Sequence, residues 1–376
     1  MKARPFKSLA VASAAAALPM TGGTANAVEQ PKADPTQAFA APMPVWTPQW
    51  YFSAEGGAAF ANFSRTSFPG GIDPAFGKMG ETDRSGSLSP DTNLGWFGAL
   101  SIGRDIDPIW DWRLTGAFHS FDTNRRSASV DAFISGVFDG SIPFEGTSSR
   151  LVKESDRFSF ATVDFDMGRK WQQGMLQGRT FAGVRGLATW QNLKISDAEA
   201  KGIIADGGGG AFALGASDRS TQTNGQSRFF GLGPRVGIEG FYGTTFGIVG
   251  SASAALIPGW RSSSLHQTQK GSDSISFCVD VEGGPSCIGP FTDPFSNAFN
   301  AHKTKFTAVG DLTGSLGLGW RPTATTMVEV GYRIEFLANA GESFNFANNG
   351  SLGGVHFDQK KNLFVNEPYI KASIRF

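Results

Sequence analysis

The segment 369-YIKASIRF-376 alternates between apolar and polar side chains with a period of two. One face carries Ile370, Ala372, Ile374 and Phe376, and the other carries Tyr369, Lys371, Ser373 and Arg375. This periodicity is typical of a β-strand with one apolar face. At the edge of an open sheet such a strand invites aggregation, whereas in a closed barrel it pairs with the first strand and the edge disappears. The segment therefore predicts a closed barrel of which it is the last strand.

The first 27 residues have the organisation of a secretory signal peptide. Basic residues at positions 2–7 precede a largely apolar run over residues 9–20, and Ala-Asn-Ala at 25–27 supplies the small residues that a signal peptidase reads. The apolar run is shorter than the roughly 20 residues that a membrane helix requires. The sequence thus predicts a signal peptide at 1–27 and export of the mature chain.

Charge and cysteine content narrow the class of protein further. The chain has 33 Lys plus Arg and 33 Asp plus Glu. The predicted signal peptide contains three of the basic residues and none of the acidic ones, so the mature chain is slightly negative and nucleic-acid binding is not expected. Cys278 and Cys287 flank a Gly-Gly-Pro turn at 283–285, which predicts a disulfide in an exported protein. A zinc site is the alternative, but two cysteines without an intervening histidine offer few ligands.

Alternating segments recur through residues 50–376, after a proline-rich periplasmic lead-in at 28–49. The predicted strands are 50–63, 94–102, 112–121, 158–169, 179–190, 229–241, 246–257, 306–320, 327–336 and 369–376. Long polar connections follow the odd strands and short turns follow the even ones, as an outer-membrane barrel with periplasmic termini requires. The fold class is therefore an all-β, closed antiparallel transmembrane β-barrel of about ten strands. Segments 133–138 and 211–214 could add strands, and Pro234 predicts a bulge.

The tryptophans give an independent check, because aromatic residues collect at both membrane surfaces. Trp46, Trp50, Trp110, Trp112, Trp171 and Trp320 fall at predicted periplasmic ends, and Trp96, Trp190 and Trp260 fall at predicted external ends. None is predicted to lie in the middle of a strand. A soluble β-sandwich predicts no such partition.

Several strand sequences carry a family resemblance. VDFDMG at 163–168, FAGVRG at 181–186 and GLGPRVGIEG at 231–240, with WYFSAEGG at 50–57, resemble the Legionella major outer membrane protein family. The last strand, ending in Phe376, resembles those that outer-membrane barrels present to their assembly machinery. The resemblance covers most of the mature chain and implies a pore in the outer membrane of a Gram-negative-type bacterium. Gly186 stands where a tyrosine is expected, and the long loops are particular to this chain, so adhesion does not carry over.

Charged residues of both signs fall on the strand face that points away from lipid. They are Glu55, Arg113, His119, Asp164, Asp166, Arg185, Arg235, Glu239, Asp311, Glu329, Arg333, Glu335 and Lys371. The candidates for lining a pore are Arg185, Arg235, Glu239, Asp311, Glu329 and Arg333. Mixed charge predicts a weakly selective, porin-like path for ions and small hydrophilic solutes. The partners expected are outer-membrane lipid, such solutes and the assembly machinery; a homo-oligomer is left open.

The alternative is a structural or surface-binding barrel whose charged residues pair with one another and plug the lumen. Ten strands lie near the number at which side chains fill a barrel. Small inward residues favour the pore, because they leave volume; they are Gly57, Ala99, Gly183, Gly233, Gly237, Gly317 and Gly331. An apolar cluster in the second long loop is a candidate contact patch or packs inward; it comprises Phe133, Ile134, Val137 and Phe138.

Catalysis and cofactor binding are not expected. His119 is followed closely by Asp122, and His356 by Asp358, but neither pair forms a recognisable catalytic motif. No G-x-S-x-G sequence lies on a strand-to-helix turn. The glycine run at 207–210 lacks the Lys-Ser/Thr of a phosphate-binding loop and predicts flexibility instead.

Overall fold

The computed structural model describes residues 48–63, 93–122, 126–138, 142–206, 211–282, 284–346 and 355–376. The predicted signal peptide, most of the predicted lead-in, Trp46 and the 207–210 glycine run lie outside these ranges. Within them the chain forms eleven β-strands: β1 (Trp50–Phe63), β2 (Asn93–Asp105), β3 (Trp110–Asp122), β4 (Arg126–Phe138), β5 (Ile142–Gln173), β6 (Leu176–Asp206), β7 (Ala211–Gly243), β8 (Phe246–Val281), β9 (Gly284–Trp320), β10 (Thr326–Phe346) and β11 (Val355–Arg375). No helix among the described residues is long and apolar enough to cross a membrane.

The two end strands close the barrel, as the C-terminal segment predicts. β1 and β11 are antiparallel, and the backbone amides of Trp50 and Phe376 each donate to the other residue's carbonyl oxygen at 2.9 Å. From β11 the pairing continues through β10, β9, β8, β7, β6 and β5 to β3, β2 and back to β1. This ring contains ten strands, so the predicted closed ten-stranded barrel is confirmed.

β4 is the eleventh strand and lies outside the ring. It pairs along its whole length with the first part of β5, from Arg126 opposite Glu154 to Phe138 opposite Ile142. Closer to the membrane β5 pairs with β3 instead, beginning at Asp122 opposite Arg157. The segment 133–138 is therefore a strand but adds nothing to the ring. The side chains of the predicted contact patch on it lie outside the described part of the chain.

Strands β5 to β9 are far longer than predicted. They contain 31 to 37 residues, whereas β1 to β3 contain 13 or 14. About 9–11 residues suffice to span a membrane. Most of the residues predicted as loops at 122–156, 191–227 and 258–304 instead continue these strands, so those predictions are wrong. The extensions are rich in Ser, Thr and Gly, and only short stretches of them, such as 275-ISFCVDV-281, show the apolar alternation by which a half-buried strand is recognised.

We call these extensions, together with β4, the external wall. Its sheet runs from β4 through β5, β6, β7 and β8 to β9. It does not close as a barrel among the described residues, because β9 pairs with β10 only from Gly310, opposite Ala338, toward the periplasm. The outer-membrane ring thus supports an open sheet on one side.

Two local predictions also change. Trp190 and Trp260 lie within β6 and β8 rather than at strand ends, because these strands continue past the external aromatic belt. Pro234 produces a gap in pairing rather than a bulge: the β7–β8 pairs Gly231 with Gly259 and Arg235 with Ala255 keep one register on either side of it. The gap follows from the missing amide donor of proline.

Candidate functional site in the barrel lumen

The structure places every charged residue predicted to face inward inside the barrel. All of them except Asp311 line one cavity of about 660 Å³, and Asp311 pairs with Arg185, which does. The cavity also reaches Pro108, Trp171 and Arg321 at the short periplasmic turns. Inward placement follows from the strand period, since charges on the lipid face near the midplane would cost several kcal/mol.

The periplasmic half of the lumen contains a first tier of ion pairs. Arg113 forms a bidentate pair with Glu239, at 2.5 and 2.8 Å. Arg179 Nε lies 2.7 Å from Asp111 and Lys170 Nζ lies 2.5 Å from Asp105. Lys371 is 3.5 Å from Glu329. Each charge in this tier therefore has an opposite partner.

The β9–β10 turn contributes one more cation at the mouth of the cavity. The guanidinium of Arg321 lies 3.9 Å from the centroid of the Phe241 ring and donates to Gln177 at 2.8 Å. Burial, reinforced by the nearby cation Arg375, lowers the pKa of Arg321. An arginine remains charged even so, and the mouth therefore carries positive charge.

A second tier lies deeper in the lumen. Arg185 holds Asp164 through two hydrogen bonds of 2.7 Å and also donates to Asp311. Arg235 donates to Asp166. A third guanidinium, Arg333, lies 2.8 Å from Glu55 and 2.6 Å from Glu367. All three arginine side chains are mostly or fully buried.

His119 lies where the second tier meets an aromatic stack. Its Nδ1 is 2.7 Å from Glu367 Oε1. The imidazole stacks on Phe160 at 4.1 Å between ring centroids and on Phe97 at 5.5 Å. Glu335 lies close to the same group and is buried.

Around and beyond His119 a cluster of apolar side chains packs inside the barrel, and we call it the apolar layer. Buried polar side chains such as Arg261 and Asn339 share the external half of the lumen with it. Its members pack as one buried cluster: Ala59, Ala61, Phe97, Phe121, Phe158, Phe160, Leu187, Phe229, Ile257, Val309, Leu337, Ala340, Leu363, Val365 and Tyr369. All ten strands of the ring contribute at least one of them. The apolar layer therefore extends across the full section of the barrel.

Ala99 lines the cavity, but two of the predicted small inward residues, Gly57 and Gly331, do not leave open volume. A Cβ added to Gly57 would lie 2.9 Å from the Phe97 ring, and one added to Gly331 would lie 2.7 Å from the Tyr369 ring. Real Cβ atoms do not approach so closely. These glycines accommodate aromatic rings from neighbouring strands, so their small size permits close packing.

The six pore-lining candidates are thus all in the lumen, and all are paired. Arg185 with Asp311, and Arg235 and Arg333 with other carboxylates, form the second tier, whereas Glu239 and Glu329 belong to the first. The sequence missed Glu367, Asp111 and Arg179. Glu367 lies on the same face of β11 as Tyr369 and Lys371. It was missed because the last strand was predicted to begin at residue 369, whereas β11 begins at Val355.

The histidine and aspartate neighbours do not form a site. His119 is inside the lumen, whereas Asp122 lies on the other face of β3 and binds Arg157 at 2.5 Å. The side chains of His356 and Asp358 lie outside the described part of the chain. The predicted disulfide is present, and it joins Cys278 on β8 to Cys287 on β9 in the external wall.

A closed antiparallel ring of ten strands, with apolar side chains such as Leu100, Phe165 and Leu316 exposed on its outside and charges inside, defines an outer-membrane β-barrel. Residues 107–376 match the family model described as the Legionella pneumophila major outer membrane protein precursor. The chain belongs to this family, and its location is the outer membrane of a Gram-negative-type bacterium. No curated protein matches the sequence.

Solved structures with a similar course of the chain are more distant. The outer membrane protease OmpT from Escherichia coli has 10% identity and a TM-score of 0.38, covering 88% of this chain and 97% of that one. The transport unit of the autotransporter AIDA-I from Escherichia coli has 7% identity and a TM-score of 0.23, covering 90% and 93%. A FadL homologue from Pseudomonas aeruginosa has 6% identity and a TM-score of 0.24, covering 87% and 90%. Likenesses at this level assign no function.

Proposed function

We propose that this protein is a closed outer-membrane barrel that acts at the cell surface, as a structural or surface-binding scaffold, and that it has no enzymatic activity. The observation that carries the proposal is the apolar layer, to which every strand of the ring contributes. Phe121, Phe158, Phe160 and Leu187 in this layer are at most 1% exposed. A path for ions needs water along its whole length, and such packing leaves none at this level.

The ion pairs support the same function. A pore lined by charges needs those charges to face water, but Arg185 holds two carboxylates and is 6% exposed. Arg235 and Arg333 are also paired. In a filled barrel of about ten strands, such pairs fix the positions of the strands relative to one another.

The external wall supplies the surface on which binding would occur. Its strands continue for about 20 residues past the membrane span, which is roughly 65 Å along a strand at about 3.3 Å per residue. The disulfide between Cys278 and Cys287 fixes one hairpin of the wall. Binding residues commonly lie on segments presented by a rigid scaffold.

A pore is the second candidate, and the cavity favours it. The cavity already extends from the periplasmic turns to His119 and Glu335, so only the apolar layer separates it from the outside. If the layer moved, the lumen would conduct ions and small hydrophilic solutes with weak selectivity, since both charge signs line it.

Single-channel recording in planar bilayers distinguishes the two functions. We expect no conductance from the wild-type barrel, and small steps when Phe97 and Phe160 are both replaced by serine, because water would enter the layer. Phe165→Ser, on the lipid side of β5, is the matched control and should remain silent. Regular, weakly selective steps from the folded wild type would overturn the closed barrel. A shift toward cations in R185Q/R235Q would then identify these arginines as pore-lining.

Surface exposure of the wall is tested on intact cells. A membrane-impermeant amine reagent should label Lys194 and Lys270, which are exposed on β6 and β8. Lys371, inside the barrel, should react only after unfolding. Labelling of Lys371 without labelling of Lys194 and Lys270 would contradict the proposed orientation and the closed lumen together.

A further inference from the structure

Three side chains with metal-binding groups meet below the apolar layer: His119 on β3, Glu335 on β10 and Glu367 on β11. Each offers one ligand atom, and the three atoms lie within 4.8 Å of one another. The exposed fractions are 2%, 4% and 0%. The β10–β11 register brings the two carboxylates together, because Arg333 is opposite Glu367 and Glu335 is opposite Val365.

Glu335 is the most weakly paired member of this group. Its closest cation is Arg185, whose Nη1 is 4.0 Å from Glu335 Oε1. Among the described residues its carboxylate accepts no hydrogen bond. A single cation at 4.0 Å compensates a buried carboxylate poorly, so this position on the cavity wall suits a bound cation or a proton.

The numbers of charges in the two tiers also indicate that positive charge is missing near Glu335. The first tier has four cations, Lys170, Arg179, Arg113 and Lys371, and four carboxylates, Asp105, Asp111, Glu239 and Glu329. The second tier has three cations, Arg185, Arg235 and Arg333, and six carboxylates, Glu55, Asp164, Asp166, Asp311, Glu335 and Glu367. Only the tier that contains His119 is therefore short of positive charge.

We propose that His119, Glu335 and Glu367 bind a divalent cation of the zinc type. One imidazole nitrogen and two carboxylates are a ligand set that suits zinc. Arg333 Nε, 2.6 Å from Glu367 Oε2, orients one of these carboxylates. His119 and Glu335 line the cavity that reaches the periplasmic turns, which provides an entry path. The ion joins β3 to β10 and β11 and supports the apolar layer from below.

The test uses the full mature chain refolded in detergent with chelator, then dialysed and titrated with zinc chloride alone. Calorimetry should show one ion bound per chain, and bound zinc should raise the temperature at which the heat-dependent change in gel mobility occurs. Glu335→Gln should fold, because it removes only a weakly paired charge. It should lose affinity for zinc by about tenfold or more, as altered metal sites do. Asp105→Asn, which removes a first-tier carboxylate near the periplasmic turns, is the control and should bind like the wild type.

Two results would overturn the site. One is the absence of zinc binding by the wild type, and the other is equal affinity in the wild type and Glu335→Gln. If Glu335→Gln raises the transition temperature while zinc has no effect on either protein, protons rather than a metal neutralise the second tier. None of these readouts depends on conductance, so the metal site and the closed barrel can fail separately.

Discussion

On β6, Arg185 and Leu187 point into the lumen two residues apart, one in the second ion-pair tier and the other in the apolar layer. Both are buried, at 6% and 1% exposure. Arg185 is held by charge-assisted hydrogen bonds to Asp164 and Asp311, whereas Leu187 packs among aromatic and aliphatic side chains. Two successive inward residues of the same strand thus lie in different surroundings, the first among charged groups and the second among apolar side chains.

The ion pairs and the apolar layer have different roles: the first give the fold specificity, and the second gives it stability. A buried ion pair roughly balances the cost of desolvation against attraction, so it contributes little net stability but penalises any arrangement that breaks it. Apolar packing contributes stability and excludes water, but many arrangements of apolar side chains satisfy it. The ion pairs therefore define which strand positions face each other, and the apolar layer closes the lumen.

The largest loss of barrel stability is expected when an arginine of the second tier is replaced. Arg185→Met should destabilise the barrel by about 3–5 kcal/mol, because it leaves buried Asp311 without its cation and Asp164 with only the more distant Arg235, at 3.5 Å. Urea unfolding of the barrel refolded into lipid vesicles measures this.

The triple variant R185M/D164N/D311L is the control for that experiment. It removes the carboxylates together with their partner, so most of the lost stability should return. An effect of Arg185→Met within the error of the wild type would show that water, rather than protein, solvates these groups.

Leu187→Ala should have the next largest effect, about 3 kcal/mol, from lost transfer free energy and the cavity that remains. Val184→Ala, on the lipid side of β6, is the matched control and should change stability less. The same urea titration compares them. If the two variants were equally destabilised, the layer would not be packed like a protein core.

Inward faces could be predicted from the sequence, but contacts across the lumen could not. Side chains alternate between the two faces of a strand, and this rule correctly predicted that Arg185 and Asp311 face the lumen. Their contact joins β6 to β9, residues 126 positions apart, and depends on the registers of all the strands between them. A one-residue slip in any of those registers changes the pairing.

The apolar layer was missed for a related reason. Phe97 and Phe160 face inward, but most apolar residues of β2 and β5 face lipid, so the sequence pattern indicates only the lipid-facing side of these strands. The external wall was missed because most of its strand residues are polar or small, although a few side chains such as Leu193 and Leu265 are buried there. What the sequence predicts well is therefore the part of the barrel that lipid contacts.

The disulfide lies in the external wall, outside the packed lumen. Replacing Cys278 and Cys287 with serine should shift the urea midpoint of the barrel by very little, because the bond constrains the wall and not the packed interior. Proteolysis near the β8–β9 hairpin should become faster. A large loss of barrel stability would show that the wall and the lumen unfold as one unit.

The smallest effect is expected for an ion pair in contact with solvent. Arg157 binds Asp122 at 2.5 Å with geometry as close as that of the buried pairs, but their side chains are 66% and 62% exposed. Solvent and salt screen such a pair, and ordering two long side chains offsets the attraction. Arg157→Ala should therefore leave the urea midpoint unchanged within error, at both low and high salt. If Arg157→Ala destabilised the barrel nearly as much as Arg185→Met, the distance between the charges rather than their burial would determine the strength of these ion pairs.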